Sequence, residues 1–255
     1  PLIIHESDTV PGKVNAWSGK FAKKIAISFP QTAQYFKKEK VALTGNPIRS
    51  EFFTLAAVGT RDYFKFENEI PVVFFVGGSQ GAKKINDTVI DILPELVKKY
   101  QVIHQCGKNN KAEAEGRAAI VLEKSPLKNR YRSFGHMDEG AMRMAYGAAN
   151  LVVSRAGSGS IFEIAASGLP SILVPLPNSA QDNQKENAYY YAKTGATDVV
   201  EEANLTPNTL LSEIDRIINN KQGLEKMAAA AKNFSQPDAA ERIAKEILNL
   251  ALEHA

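Results

Sequence analysis

A single cysteine in 255 residues cannot close a disulfide within the chain, and no apolar run approaches the roughly 18 residues that a membrane-spanning helix needs. Cys106 therefore reads as a small buried residue at a strand end, suited to a reducing cytoplasm. The four histidines lack the spacing of a zinc site. An excess of one charge is also missing: 31 basic residues against 28 acidic ones leave +3. That balance permits weak contact with anionic lipid, and without an aromatic-basic stripe it indicates no nucleic-acid partner. Internal repeats and low-complexity segments are absent, as are the basic leader and small-residue cleavage site of a signal peptide. The initiator Met is missing too, and Pro1-Leu2-Ile3-Ile4 already reads as a strand, so an N-terminal portion is expected to precede this chain.

What the chain does have, at 44% hydrophobic content, is enough apolar material for one complete core and part of a second. Strands and helices alternate, which predicts an α/β protein. Strands are expected at 2–5, 24–28, 40–43, 72–76, 102–105, 131–134, 151–153, 171–174 and 197–200. Helices are expected at 82–99, 140–147, 158–167, 182–194, 207–219, 223–233 and 238–253. Residues 55–70 mix small, aromatic and charged side chains without a sustained period and read as an interdomain passage.

Two turns carry the chemistry. Val152-Val153-Ser154-Arg155-Ala156-Gly157-Ser158 runs from an apolar strand into a helix start, with Glu163 one turn further on. Free backbone N–H groups and the helix dipole at such a turn can hold a phosphate, and the carboxylate can accept hydrogen bonds from both ribose hydroxyls. The second turn, Gly77-Gly78-Ser79-Gln80-Gly81-Ala82, follows a continuous apolar strand, and its glycines would let the backbone approach a diphosphate closely. The spaced G-x-G-x-x-G of dinucleotide enzymes is lacking, as is any G-K-[ST] after the glycines, which argues against NAD enzymes and P-loop ATPases.

These residues resemble a family. Gly45-Asn46-Pro47-Ile48-Arg49, the Gly77–Ala82 turn, Ser154-Arg155-Ala156-Gly157 with Glu163, Gly168-Leu169-Pro170, and Gln184 with Asn187 are similar, in order, to the motifs of the MurG glycosyltransferases. His5-Glu6-Ser7-Asp8 with Pro11-Gly12 is similar to the last block of that family's N-terminal domain. The resemblance runs from Leu2 to about Thr206 and implies a GT-B fold. This chain would hold one complete Rossmann-like C-terminal domain (71–236) and the last part of an N-terminal, acceptor-side Rossmann-like domain (1–54). Residues 55–70 would link the two, and a final helix (237–255) would cross back to the first.

The implied activity is inverting transfer of N-acetylglucosamine from UDP-GlcNAc to the 4-hydroxyl of a lipid-linked muramyl-pentapeptide, in peptidoglycan synthesis, without metal or cofactor. It implies work at the cytoplasmic face of a bacterial membrane, where Trp17 and Phe21 with Lys13, Lys20, Lys23 and Lys24 could rest; a core-facing Trp17 and Phe21 is the alternative. Glu163 would take the ribose. Ser79, with Gly78 and Gln80 beside it, would hold the α-phosphate, and Gly157 and Ser158 form the second phosphate turn. Gly135, in what reads as a long Gly135–Met142 loop, would meet uracil. Gln184 and Asn187 would read sugar hydroxyls, and Arg49 or Arg155 would meet charge growing on UDP. His5 and Glu6 are the candidate bases on the acceptor side, in competition with a histidine of the family's N-terminal glycine-rich loop. Without that loop the chain is expected to be inactive alone. The other reading is a UDP-sugar-binding module without independent catalysis.

Overall fold

The computed structural model describes residues 1–55, 58–77 and 82–252. Two parallel sheets follow one another along the chain. The first has the order β1(Ile3–Glu6)–β2(Lys24–Ile27)–β3(Val41–Leu43), with a short helix α1(Lys13–Ser18) between β1 and β2. Ile4, Ile25 and Ile27 bury one small core there with Ala22.

The second sheet comprises β4(Val72–Val76), β5(Gln101–Gln105), β6(Tyr131–Phe134), β7(Leu151–Ser154), β8(Ser171–Leu173) and β9(Thr197–Val199), and its spatial order is β6-β5-β4-β7-β8-β9. Its four central strands, β4, β5, β7 and β8, are buried on both faces, so successive side chains enter different cores. Val72, Phe74 and Val76 face the core beneath α5(Glu139–Ala148), α6(Ser158–Ser167) and α7(Asn183–Ala192). Val73 and Phe75 face the one beneath α3(Lys83–Lys99), α4(Lys111–Val121) and α8(Pro207–Ile218). This double demand explains why β4 and β7 read as nearly unbroken apolar runs.

All nine expected strands form among the described residues, with ends shifted by one residue at most. Three helix readings need correction. The 55–70 passage contains α2(Thr60–Phe64), whose Phe64 is buried along with Phe66 in the core of the second sheet, so the passage packs as part of that unit. α4 was not expected, and the supposed long loop after Phe134 is short: Asp138 caps α5 by accepting a hydrogen bond from the Ala141 N–H.

Several contacts join the two sheets. Phe29, fully buried just after β2, meets the rings of Phe162 and Tyr190 edge-on at 5.3 and 5.5 Å, with Phe234 of α9(Lys221–Phe234) close by. Gly45, at φ +83°, lies where a Cβ would meet the Gln236 side chain at 2.8 Å, so it serves both a left-handed turn and a close approach. α10(Ala239–Leu252) then runs against the first sheet, with Lys24 2.9 Å from Glu246 and Arg242 donating to the Leu43 carbonyl. Along this helix Leu250 is buried, while Ile247 and Leu252 are exposed.

Candidate functional site

In the second sheet the chain starts at β4, winds outward to β6, returns to β7 beside β4 and winds the other way. The direction of winding reverses between β4 and β7, where the helices after the two strands leave on opposite faces and open a crevice at the strands' carboxyl ends. Ligands of open α/β sheets bind in such crevices. The turn before α6 leaves from this point, and β4, which leads into the first glycine turn, ends beside it. Gly78, Ser79 and Gln80 lie outside the described residues, so the α-phosphate assignment rests on the sequence.

The second turn is fully described. Gly157 is the N-cap of α6 and makes no side-chain cap, so the N–H groups of Ser158, Gly159 and Ser160 have no intrahelical partner. Nothing lies within 4 Å of a Cβ built on Gly157 or Gly159, which leaves open space above those donors. Helix α6 ends at Gly168, in the left-handed region at φ +64°, a stop that Gly168-Leu169-Pro170 announces in sequence.

Glu163 projects from the first turns of α6 and is half-buried. Burial pushes its carboxyl pKa up, while the Arg49 charge and the hydrogen bond from Tyr146 pull it down. The Tyr146 hydroxyl donates to Glu163 Oε2 at 3.3 Å. Arg49 sits 3.8 Å from Glu139 and 5.7 Å above the Phe52 ring, so the segment after β3 reaches the same corner as α5 and α6. Tyr146 was missed by sequence reasoning. It reads as one more buried position of α5, and nothing in the local pattern says that its hydroxyl meets a carboxylate on the next helix.

Other residues stand differently from expectation. Arg155 is not free to meet a phosphate: it pairs with Glu202 and donates to the carbonyls of Val174 and Pro175, bracing the end of β8. Asn187, expected to read a sugar hydroxyl, is wholly buried with all four bonding positions used. Its Oδ1 accepts from the Thr9 N–H and hydroxyl, both at 2.9 Å, and its Nδ2 donates to Asp8 at 2.7 Å and to the Ala156 carbonyl at 3.4 Å. Gln184 accepts from the Leu176 N–H at 3.0 Å, which leaves its Nε2 without a partner among the described residues. Gly135 is buried against Lys111, whose side chain a Cβ there would meet at 3.1 Å.

Glu6 is not placed as a base either. Only 3% exposed, its carboxylate accepts from the N–H groups of Asp8 and Gly12 and from the Asn15 amide, so it shapes the entry to α1. The Nε2 of His5 lies 3.2 Å from the Gly45 carbonyl oxygen and 3.1 Å from the Ser28 hydroxyl. Trp17 and Phe21 are 63% and 65% exposed, which excludes the core-facing alternative. Among the described residues, no group of three or more His, Cys, Asp or Glu is placed to hold a metal ion, and no helix is long and apolar enough to cross a membrane.

The sheet order, with the open turn at the start of α6 and a carboxylate one helical turn beyond it, defines a Rossmann-like α/β unit. Residues 72–243 match the model of the glycosyltransferase family 28 C-terminal domain, and the chain belongs to that family. It is 37% identical over 244 residues to the UDP-N-acetylglucosamine–N-acetylmuramyl-(pentapeptide) pyrophosphoryl-undecaprenol N-acetylglucosamine transferase of Lachnoclostridium phytofermentans, covering 95% of this chain and 65% of that protein. Against the protein of the same name from a Thermoanaerobacter species it is 35% identical over 251 residues, covering 98% and 68%. The crystal structure of Acinetobacter baumannii MurG superposes with a TM-score of 0.75 at 26% identity, covering 98% of this chain and 67% of that one. The chain thus spans about two thirds of the length of these relatives.

Proposed function

We propose that this chain is the donor-binding part of an inverting glycosyltransferase that moves N-acetylglucosamine from UDP-GlcNAc to the 4-hydroxyl of a lipid-linked muramyl-pentapeptide. The observation that carries the reading is the pairing of the open α6 turn with Glu163 at the reversal of the sheet, in a chain whose relatives bear that activity in their names. Glu163 accepts the two ribose hydroxyls. The N–H groups at the start of α6 and the Gly78–Gln80 turn hold the diphosphate, Gly135 borders the uracil, and the Nε2 of Gln184 donates to the sugar.

In the reaction the muramyl hydroxyl oxygen attacks the anomeric carbon, the bond to UDP breaks, and the proton passes to a base. The charge that develops on UDP is met by preorganised backbone donors and by Arg49. Glu6 is committed to three hydrogen bonds, so we assign no base within this chain. Donor binding without turnover is accordingly expected of the chain alone, with residues 1–54 as the acceptor-side part, 58–236 as the donor unit and α10 as the element that returns to the first sheet.

The acceptor is carried by a lipid, and α1 offers a place to meet its membrane. Val14, Trp17 and Phe21 are exposed among Lys13, Lys20 and Lys23, in α1 and the residues that follow it, with the two rings in tilted contact at 5.2 Å. We place this face on the cytoplasmic leaflet.

Calorimetry with UDP-GlcNAc, UDP and ADP, paired with a transfer assay, tests the reading. Preference for the uridine ligands with no transfer is expected. Equal or tighter binding of ADP would overturn the donor assignment, and transfer by this chain alone would show that the base lies within it.

A further inference from the structure

Tyr146 has no place in the nucleotide motifs, yet its surroundings are unusually specific. It is 1% exposed and held between the edges of Phe52 and Phe74, each at 5.4 Å, so its ring cannot turn away. Its hydroxyl has one hydrogen-bond partner among the described residues, Glu163 Oε2. No hydrogen bond among the described residues reaches Glu163 Oε1. Burial keeps the phenol far above its ordinary pKa, so it remains a donor across the working pH range. Phe52, the ring that fixes Tyr146, also lies beneath the Arg49 guanidinium. One aromatic contact therefore links the segment after β3 to the carboxylate on α6.

We propose that Tyr146 is the positioning residue of the donor site: its hydroxyl holds Glu163 in one orientation and in its ionised form, with Oε1 directed to the ribose diol. The inference rests on the reading that Glu163 binds the ribose. A half-buried carboxylate tends to keep its proton, and a protonated carboxyl offers one fewer acceptor to a diol. The groups that oppose this are Tyr146 from α5 and Arg49 from the segment after β3, and Arg49 is itself shared with Glu139. Without Tyr146, Arg49 alone would have to keep Glu163 charged.

The test compares the affinity of the whole chain for UDP-GlcNAc over a pH series from about 4.5 to 8, in the wild type and in Tyr146→Phe. The 2′,3′-dideoxyribose analogue of the same donor serves as control. In the variant the acid limb of the affinity profile should move up by about one pH unit, the effect of losing one hydrogen bond to the ionised form. The dideoxy analogue should bind wild type and variant alike. An unmoved limb, or equal losses for both ligands, means that Tyr146 merely packs the core and overturns the inference. Glu163→Gln separates the two layers: if it leaves UDP-GlcNAc affinity unchanged, the ribose assignment is wrong, whereas a clear loss beside an unmoved limb in Tyr146→Phe refutes the inference alone. Should Tyr146→Phe fail to fold, fluorotyrosine at position 146, a stronger donor of similar shape, must shift the limb downward; no shift there refutes the inference equally.

Discussion

His104 shows how one buried side chain ties acid stability to a hydrogen-bond chain. The Asn86 amide donates to the Cys106 carbonyl at 2.8 Å, which turns Asn86 Oδ1 toward His104 Nε2 at 2.9 Å and requires the ring hydrogen there. Nδ1 is left to accept from the Tyr131 hydroxyl at 2.9 Å, so the ring is neutral and fully satisfied. Burial lowers its pKa from 6.5 to about 4. A histidine depressed in this way contributes stability that is complete above pH 6.5 and is lost as the pH falls toward 4, because the unfolded chain takes up the proton first. A gap of that size corresponds to on the order of 3 kcal/mol. Urea unfolding between those limits should lose stability with falling pH, and His104→Gln should flatten the slope; an unchanged slope in the variant would clear His104 of the effect. The sequence shows four scattered histidines and no metal spacing, but it cannot show this chain of bonds. Its members come together only when α3 packs across β5 and β6. Asn187 and Tyr146 were illegible for the same reason, since both act through partners on other elements.

At the scale of elements, legibility followed the apolar signal. Strands buried on both faces must be apolar at nearly every position, so they stand out. Helix α4 does not: its buried residues are Ala114 and Ala118, and alanines draw no stripe in a polar helix. The two residues of α2 that are buried, Thr60 and Phe64, are too few to set a period. Helix α1 gives a mixed signal that structure resolves, since none of its residues is buried. From that exposure, Trp17→Ala with Phe21→Ala should leave the thermal unfolding midpoint nearly unchanged. The same pair should weaken binding to phosphatidylglycerol vesicles by about tenfold or more, because each large apolar side chain is worth about 1.5–3 kcal/mol on burial. Flotation of both proteins with vesicles decides the matter: unchanged binding would remove α1 and the residues after it from the membrane contact, and a collapse of the fold would mean that Trp17 and Phe21 pack after all.

For the whole molecule, the question is how firmly the three-stranded sheet is held to the six-stranded one. The small core of the first sheet contains four buried residues, Ile4, Ala22, Ile25 and Ile27, too little to sustain it alone. Its order must come from the larger unit. Besides α10 and the Gly45–Gln236 approach, two contacts supply it: Phe29, set among Phe162, Tyr190 and Phe234, and the Asp8–Thr9 turn, whose polar groups close onto Asn187 while Thr32 donates to the carbonyls of Asp8 and Thr9. Both reach α6 or the turn before it, Phe29 through Phe162 and the Asp8–Thr9 turn through Asn187, which also donates to Ala156, so this clasp borders the crevice at the sheet's reversal. Phe29→Ala should cost about 3–5 kcal/mol, the usual range for emptying a buried aromatic site. That loss should fall unevenly. The first sheet keeps only its polar clasp and the exposed flank of α10 besides its own small core, whereas the six-stranded sheet keeps both of its cores. Hydrogen exchange followed by mass spectrometry should therefore show faster exchange over residues 3–43 in the variant, with β4, β5 and β7 still protected. Uniform acceleration across both sheets would mean that they unfold as one cooperative body and that Phe29 belongs to a single shared core.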